Sequence, residues 1–265
     1  SQYSHLSNTE IIEPYQRVEK NVDIVTISTP PNNRLKDIEY ALTLNPKHIV
    51  LEKPIASDYK EALKIAQISK ERGVNIFINF PRIIDSEYRE LKSSFDLSKN
   101  TISSIYKYSK GLENYCSHHI QSFLDWYGEP RDIQCISDGN NPSFTLTDSA
   151  KRKHYFLGFD QDAFDIFETE ITLKNQVLYI GNGGCEKSTR KPIDGLYYEG
   201  YKQLGRPIDI FPNKKLGGFF ELYESVKSNH SSLCTIDKAV VGVKIIDLVK
   251  KSKSNNFKGR YIEKK

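Results

Sequence analysis

Residues 48–80 read HIVLEKPIASDYKEALKIAQISKERGVNIFINF, and this stretch decides the fold. The apolar run HIVLEK (48–53) predicts a short buried strand, and VNIFINF (74–80) predicts the next one. Between them lies a segment with helical character. A strand, a helix and a strand joined by short connections indicate a parallel sheet with right-handed crossovers.

The helix between these strands has start and stop signals. Ser57 can cap its N-terminus, and Gly73 can end it in a left-handed conformation. Its predicted apolar face consists of residues at helical spacing: Tyr59, Ala62, Leu63 and Ala66.

The same alternation extends towards the N-terminus. VDIVTIST (22–29) predicts a strand that PPNN stops, and LKDIEYAL (35–42) predicts a helix. We therefore predict a Rossmann-like parallel-sheet domain over residues 1–98.

The pattern changes near residue 100. TISSIYKYSKG (101–111) predicts a strand, and a helix follows in which Ile120, Phe123, Leu124 and Tyr127 share a face. Five alternating segments come next and favour an antiparallel sheet: DIQCISDG, SFTLTD, KHYFLGF, DIFETEITLK and QVLYIGNGG. With a last helix over 235–252, residues 99–265 form a second, α+β domain for substrate binding and oligomerisation. The fold class is α/β with two domains.

Composition narrows the functional classes. The 265 residues are 38% hydrophobic and 27% charged, and no run approaches the roughly 18 apolar residues of a membrane span. Four scattered cysteines without a C-x-x-C pair argue against a zinc site or disulfides, so we predict no metal and a cytoplasmic location. The net charge of +4 comes largely from the C-terminal tail, and we predict neither nucleic acid nor membrane as a partner.

Ligands of open parallel sheets bind beyond the carboxyl ends of the strands. Thr29-Pro30, Glu52-Lys53 and Phe80-Pro81-Arg82 all fall at such ends. We therefore expect Lys53 to enter a site rather than to be a solvated strand terminus.

These segments resemble the glucose–fructose oxidoreductase and inositol dehydrogenase family (Gfo/Idh/MocA). The likeness is carried by VDIVTISTPP, HIVLEKPIA and VNIFINFPRI in that order, and by KGLENYCSHHIQSFLDWYGEP (110–130) further on. It implies an oxidoreductase that uses NAD or NADP and acts on a hydroxyl of a sugar, polyol or nucleotide sugar. An asparagine at position 114 also resembles members that act in surface-polysaccharide biosynthesis.

The resemblance implies roles for individual residues. Lys53, His118 and Asn114 would be catalytic, and His118 would accept the hydroxyl proton, for which a pKa near neutrality suits it. Asn114 and His118 stand four apart, so a helix would place them on one face. The residues that would contact the cofactor are Thr29, Pro30, Asn33, Glu52, Lys53 and Arg82.

Several departures from the family pattern are visible. The first glycine is Gly73, so the glycine-rich turn G-x-G-x-x-G that binds pyrophosphate is not in this sequence, and we expect the N-terminal nucleotide unit to be missing from it. Arg34 stands where the family often has histidine. Asn114 and Gln121 each replace a frequent aspartate.

Structural interpretations compete at many of these positions. Asn114 could be a helix cap, Arg82 and Glu52 could form ion pairs, and His118 could be a hydrogen-bonded histidine between the domains. Thr29-Pro30 could be a plain turn. For His119 we expect no function, and for Gly183-Gly184 a hairpin turn. The remaining aromatic residues are expected in a core or an interface rather than stacked on sugar: Tyr106, Tyr108, Tyr115, Trp126 and Tyr127.

The leading hypothesis is an NAD(P)-dependent oxidoreductase with a small sugar-type substrate. Its rival is a non-catalytic binding or scaffolding member of the same fold, and a third interpretation is hydrolysis or epimerisation through transient oxidation. The resemblance further implies a cis Lys53-Pro54 peptide. We also predict a homodimer or homotetramer built through the sheet of residues 130–215. The side chains of Lys53 and His118 should converge in one cleft.

Overall fold

The computed structural model describes residues 20–195, 197–211, 219–253 and 260–261. Its first sheet has four strands: β1 (Ile24–Ile27), β2 (His48–Glu52), β3 (Asn75–Asn79) and, from far along the chain, β14 (Cys234–Thr235). The strands β1, β2 and β3 are parallel neighbours, and β14 pairs with β3 in the antiparallel direction. The predicted parallel sheet is confirmed.

Helices follow each parallel strand. A single 3₁₀ turn (Pro31–Asn33) leads into the first helix, and the five helices of this region are α1 (Arg34–Thr43), α2 (Tyr59–Arg72), α3 (Pro81–Ile84), α4 (Ser86–Ser94) and α5 (Leu97–Asn100).

Two details of α2 differ from the prediction. The N-cap is Asp58 rather than Ser57, because the Asp58 carboxylate accepts a hydrogen bond from the Glu61 backbone N–H at 2.8 Å. The buried face contains Ala62 and Ile65, whereas Leu63 is 45% exposed. The prediction that Leu63 belongs to the buried face is therefore wrong, and Ile65 takes that place. Gly73 ends the helix at φ +64°, as predicted.

The second sheet has nine strands in the spatial order β13-β10-β9-β8-β4-β7-β6-β5-β15. Its strands are β4 (Thr101–Tyr108), β5 (Asp132–Cys135), β6 (Phe144–Thr147), β7 (Lys153–Gly158), β8 (Phe167–Leu173), β9 (Val177–Gly181), β10 (Glu186–Arg190), β13 (Ile208–Asp209) and β15 (Arg260–Tyr261). The pairs are antiparallel except β4 with β7, so the mostly antiparallel sheet is confirmed. A separate ribbon joins β11 (Pro192–Asp194) and β12 (Lys202–Leu204). The predicted turn at Gly183-Gly184 is a 3₁₀ turn between β9 and β10.

One face of the second sheet packs on the helix α6 (Ser117–Tyr127), which follows a π-helical turn (Leu112–Cys116). Ile120 and Phe123 of α6 are fully buried there. Aromatic side chains fill this core, as predicted for Tyr106, Tyr108, Trp126 and Tyr127. Packing between rings explains the density of this layer, since Tyr106 stacks on Phe156 at 4.5 Å between ring centroids.

The last two helices pack on the first sheet, and the second of them also packs on the second sheet. The helix α7 (Phe219–Lys227) contributes Leu222 and Val226 to a small core on one face of the first sheet. The helix α8 (Ile236–Lys253) is shared: Ala239 and Val240 pack with the first sheet, and Ile245 and Val249 pack with the second. The domain division at residue 98 stays a prediction. In the described part of the chain, no helix is long and apolar enough to cross a membrane.

Candidate active site

Lys53 follows directly on the carboxyl end of β2. The Lys53-Pro54 peptide is cis, as predicted. The side chain is half-buried, and its Nζ donates a hydrogen bond to Oδ1 of Asn114 at 2.7 Å. Burial lowers the pKa of Lys53, the charge of Arg82 lowers it further, and Glu52 opposes the shift. Lys53 is therefore not a solvated strand terminus.

Asn114 lies within the π-helical turn that precedes α6. Its side chain accepts the hydrogen bond from Lys53. The residue that caps the N-terminus of the turn is Gly111, and no side chain forms a cap there. The alternative of Asn114 as a helix cap is therefore wrong. A single π turn inside a helix is a feature often found at functional sites. The π-helical turn brings Asn114, which precedes α6, to the lysine that follows a strand of the first sheet.

His118 stands one helical turn further on and is half-buried. Its Nδ1 is buried and has no hydrogen-bond partner among the described residues. The ring meets Phe80 edge-on at 5.4 Å and Phe167 at 6.4 Å between ring centroids. Burial lowers its pKa well below the ordinary value, and the charges of Arg82 and Lys53 lower it further. His118 is therefore neutral near pH 7 and can accept a proton, but the expectation of a near-neutral pKa for this residue is wrong, because burial lowers the pKa well below that value.

Arg82 joins the end of β3 to the second sheet. Its Nε and Nη2 donate hydrogen bonds to the carbonyl of Gly183 at 3.3 and 2.9 Å, and its guanidinium lies 3.9 Å from the centre of the Phe167 ring. In the described residues it forms no ion pair, so the ion-pair alternative is wrong. Contact of Arg82 with a cofactor stays a prediction.

The strand ends are held by Arg34, which sequence reasoning left without a role. Its fully buried side chain donates to the carbonyls of Ile27, Glu52 and Pro54 at 3.1, 3.1 and 3.3 Å. These carbonyls close β1 and β2, so one guanidinium fixes the spacing of two strand ends.

Glu52 and Asn79 are cross-strand partners at the ends of β2 and β3. The Glu52 carboxylate accepts a hydrogen bond from the side-chain amide of Asn79, and this replaces the ion pair considered for Glu52. The other amide atom, Oδ1 of Asn79, is buried and unpartnered. The predicted approach of the Glu52 backbone to a cofactor stays a prediction.

The remaining predicted cofactor residues lie in the turn after β1. Thr29, Pro30 and Asn33 are all exposed at the carboxyl end of the sheet. The Thr29 hydroxyl donates to the carboxylate of Asp37 in the first turn of α1, and Asn33 forms no side-chain cap. Their position agrees with a loop that faces a ligand, and their cofactor contacts stay predictions.

Two neighbours of His118 have structural roles. The ring of His119 stacks on Phe167 at 3.8 Å between ring centroids, and its Nε2 is 3.1 Å from the carbonyl of Lys107, as expected for a residue without function in the site. Gln121 is buried against Gly242 of α8, and its Oε1 accepts from the Cys234 thiol at 3.5 Å.

The described residues fit the nicotinamide end of a dinucleotide. Strand-end carbonyls, the amine of Lys53 and the exposed side chains of Thr29 and Asn33 surround the carboxyl edge of the sheet. Two buried polar atoms without partners, Oδ1 of Asn79 and Nδ1 of His118, lie near the same edge. In residues 20–80, the turns after β1 and β2 read STPPNN and EKPIAS, so the described turns offer no glycine-rich cradle for pyrophosphate.

The fold and this edge are those of a two-sheet protein with a Rossmann-like domain. Residues 3–80 match the profile of the Gfo/Idh/MocA family, described as an oxidoreductase family with an NAD-binding Rossmann fold. This segment matches the model of that family, in agreement with the resemblance predicted from the motifs. The match also confirms the predicted cofactor class, NAD or NADP.

Solved structures share the fold at low sequence identity. An NAD-binding oxidoreductase from Klebsiella pneumoniae is 11% identical with a TM-score of 0.71, and the alignment covers 92% of this chain and 81% of that one. An NAD-binding protein from Listeria innocua is 12% identical with a TM-score of 0.69, covering 91% and 82%. UDP-N-acetylglucosamine 3-dehydrogenase GnnA from Acidithiobacillus ferrooxidans is 12% identical with a TM-score of 0.68, covering 87% and 78%. No curated protein sequence matches the chain.

Proposed function

We propose that this protein is an NAD(P)-dependent oxidoreductase that acts on a hydroxyl of a sugar, polyol or nucleotide sugar. One observation carries the proposal: Nζ of Lys53 meets the side chain of Asn114 at 2.7 Å, one helical turn from a neutral His118. The lysine follows a strand of the first sheet, and the other two residues lie on the π-helical turn and the helix α6 that pack on the second sheet. A purely structural contact would not require these three residue types to meet at the carboxyl edge of a parallel sheet.

The residues suit alcohol oxidation. NAD(P) would accept hydride from the carbon that bears the hydroxyl. Neutral His118 would take the hydroxyl proton, with the buried and unpartnered Nδ1 offering an acceptor. The ammonium of Lys53 would stabilise the negative charge that develops on the oxygen. The amide group of Asn114 retains two donors when its Oδ1 accepts from Lys53, and these can orient the substrate.

A sugar-type substrate is supported by two features. The site combines amide, amine and imidazole groups, which hydrogen-bond to hydroxyls. A neighbour in fold is a UDP-N-acetylglucosamine 3-dehydrogenase. Surface-polysaccharide biosynthesis is the corresponding pathway class that we propose.

The proposal is tested by turnover. The protein is incubated with NAD⁺ or NADP⁺ and a panel of sugars, polyols and nucleotide sugars, and formation of the reduced cofactor is followed by absorbance. For the substrate that reacts, His118→Ala should lower turnover by roughly 10²–10⁴. Cofactor binding should persist in this variant, since the first sheet holds the cofactor.

Glu129→Gln serves as a control, because Glu129 is exposed and follows the end of α6. Normal turnover in His118→Ala would contradict the assignment of the base. If the protein binds the sugar but neither NAD⁺ nor NADP⁺, the non-catalytic binding member becomes the better description.

We also propose a homodimer or homotetramer formed through the second sheet. The face opposite α6 carries partly exposed apolar side chains, among them Ile105, Tyr155, Leu157 and Tyr179, and a paired second copy would cover them. Light scattering at micromolar concentration checks this, and a monomer would contradict it. The four cysteines are free, which suits the reducing cytoplasm as the proposed location.

A further inference from the structure

The site has fewer acidic groups than the family pattern implies. Asn114 and Gln121 stand where aspartates are frequent, and both carry neutral amides. Asn114 is the hydrogen-bond partner of Lys53, so the ammonium there meets a dipole rather than a carboxylate. Gln121 is buried and bonded to the Cys234 thiol. Neither position supplies a negative charge to the cleft.

The two cations of the site have neutral partners. Lys53 contacts the amide of Asn114, and Arg82 contacts a backbone carbonyl, an aromatic ring and the hydroxyl of Tyr88. In the described part of the chain, neither forms an ion pair. Burial of these cations is unfavourable because it removes hydration; the charge of Glu52 offsets part of this cost for Lys53, and Arg82 has neutral partners among the described residues.

The acidic groups nearby are already engaged. The carboxylate of Glu52 is bound by Asn79 at the end of β3. Asp165 accepts a hydrogen bond from Tyr115 at 2.6 Å and pairs with Lys110 at 3.3 Å. In the described part of the chain, neither Lys53 nor Arg82 pairs with these carboxylates, and the partners of both cations are neutral groups.

An independent observation marks the same place as a ligand site. Nδ1 of His118 is buried and lacks a hydrogen-bond partner, and its ring lies between Phe80 and Phe167, whose ring also contacts Arg82. A ligand that reaches Nδ1 also comes close to Arg82. A hydroxyl at the histidine and a negative charge at the arginine would satisfy both.

We infer that the substrate is an anion: a polyhydroxy compound with a carboxylate near the hydroxyl that reacts. The inference rests on the proposed oxidoreductase function and names its substrate class. Arg82 is the residue that selects the carboxylate, and Lys53 adds to the attraction. A neutral sugar leaves both cations uncompensated and binds more weakly.

Matched probes test this inference. D-glucuronate and D-glucose share a ring and differ at C6, and D-gluconate and D-glucitol differ at C1. Binding of each probe to the full chain is measured by calorimetry, with and without NAD⁺. At least one acid should bind roughly tenfold or more tightly than its neutral counterpart. Equal binding of acid and neutral compound overturns the inference, as does failure of both acids to bind below about 10 mM.

Variants assign the preference to Arg82. Arg82→Gln should abolish the preference for the acid, and Arg82→Lys should restore part of it because the charge returns. Arg72→Gln is the matched control, since Arg72 is exposed at the end of α2. If Arg82→Gln does not fold, as judged by circular dichroism, Lys53→Gln is measured in its place. A preference that survives in the folded variant overturns the inference.

The cofactor's phosphates are the other possible source of negative charge. If Arg82→Gln weakens NAD⁺ binding and leaves the preference for the acid unchanged, the arginine serves the cofactor and the inference fails. NAD⁺-dependent turnover of a neutral sugar, with no preference for its acid, also refutes the inference but retains the proposed function. Absence of NAD(P) binding refutes the proposed function. The preference for the acid is still measured in that case, because acid binding is also determined without cofactor.

Discussion

Two histidines, His118 on α6 and His154 on the second sheet, differ in how their ring nitrogens are bonded. Burial lowers the pKa of both. His154, on β7, has both ring nitrogens occupied: Nδ1 lies 2.7 Å from the Ser104 hydroxyl, and Nε2 lies 3.3 Å from the Asp148 carboxylate. His118 has a buried nitrogen without a partner. The two satisfied nitrogens fix the His154 ring within the scaffold, whereas the unpartnered nitrogen of His118 leaves a hydrogen bond that a substrate would supply under the proposed function.

Two lysines repeat the contrast. The Lys187 ammonium is buried and pairs with the Glu87 carboxylate of α4 at 2.6 Å, which ties the second sheet to the first half of the chain. The Lys53 side chain is half-buried, and its hydrogen-bond partner among the described residues is an amide. The first lysine has its counter-ion within the protein. The second can offer its charge to a substrate.

The largest expected effect breaks the scaffold lysine's pair. Glu87→Ala leaves a buried ammonium unpaired and should lower the free energy of unfolding by about 3–5 kcal/mol. Lys53→Met is the comparison and should change that free energy by less than about 1 kcal/mol, because its partner is neutral and partly exposed. Urea unfolding measures both. Equal losses would remove the distinction between the two lysines.

The next effect concerns pH and the scaffold histidine. Burial lowers the pKa of His154 to about 4, whereas an unfolded histidine titrates near 6.5. Between these values the unfolded chain binds the proton and the folded protein does not, so stability falls as pH falls from about 6.5 to 4. The loss attributable to His154 should reach about 3 kcal/mol at the acid end.

His154→Asn is the variant for this measurement, followed by urea unfolding at several pH values. It cannot take up the proton, so its stability should vary less over the same interval than that of the unchanged protein. An identical slope in the two proteins would show that His154 does not titrate in this way.

The smallest effect sharpens the comparison at Lys53. Asn114→Asp gives this lysine a carboxylate partner in place of the amide. Because the pair is partly exposed, unfolding stability should change by at most about 1 kcal/mol. Binding of D-glucuronate should weaken relative to D-glucose, since the new carboxylate repels the acid. A gain in acid binding would contradict the electrostatic interpretation of the site.

Much of the fold followed from sequence periodicity. The strands β2 and β3 and the glycine that ends α2 were predictable because continuous apolar runs and helix stops are local signals. The face of α2 was misjudged, since Leu63 and Ile65 are both apolar and only tertiary packing decides which is buried. The parallel pairing of β4 with β7 joins strands far apart in the chain and leaves no local signal.

The candidate site was predictable in part. Lys53, Asn114 and His118 came from motif order, and the contact between Lys53 and Asn114 agrees with that hypothesis. The clamp of Arg34 was missed, although a basic residue directly after PPNN could have signalled a residue that turns back on the strand ends. Phe167 was also missed, because its contacts with Arg82 and His119 join residues far apart in the chain and arise only in the folded protein.

The shared helix α8 has a consequence for cooperativity. Its N-terminal turns complete the core beneath the first sheet, and its C-terminal turns complete the core beneath the second. Melting this one helix would expose apolar surface in both cores at once. Neither half can therefore lose its structure while the other keeps all of its own, and we expect the described molecule to unfold in a single thermal transition.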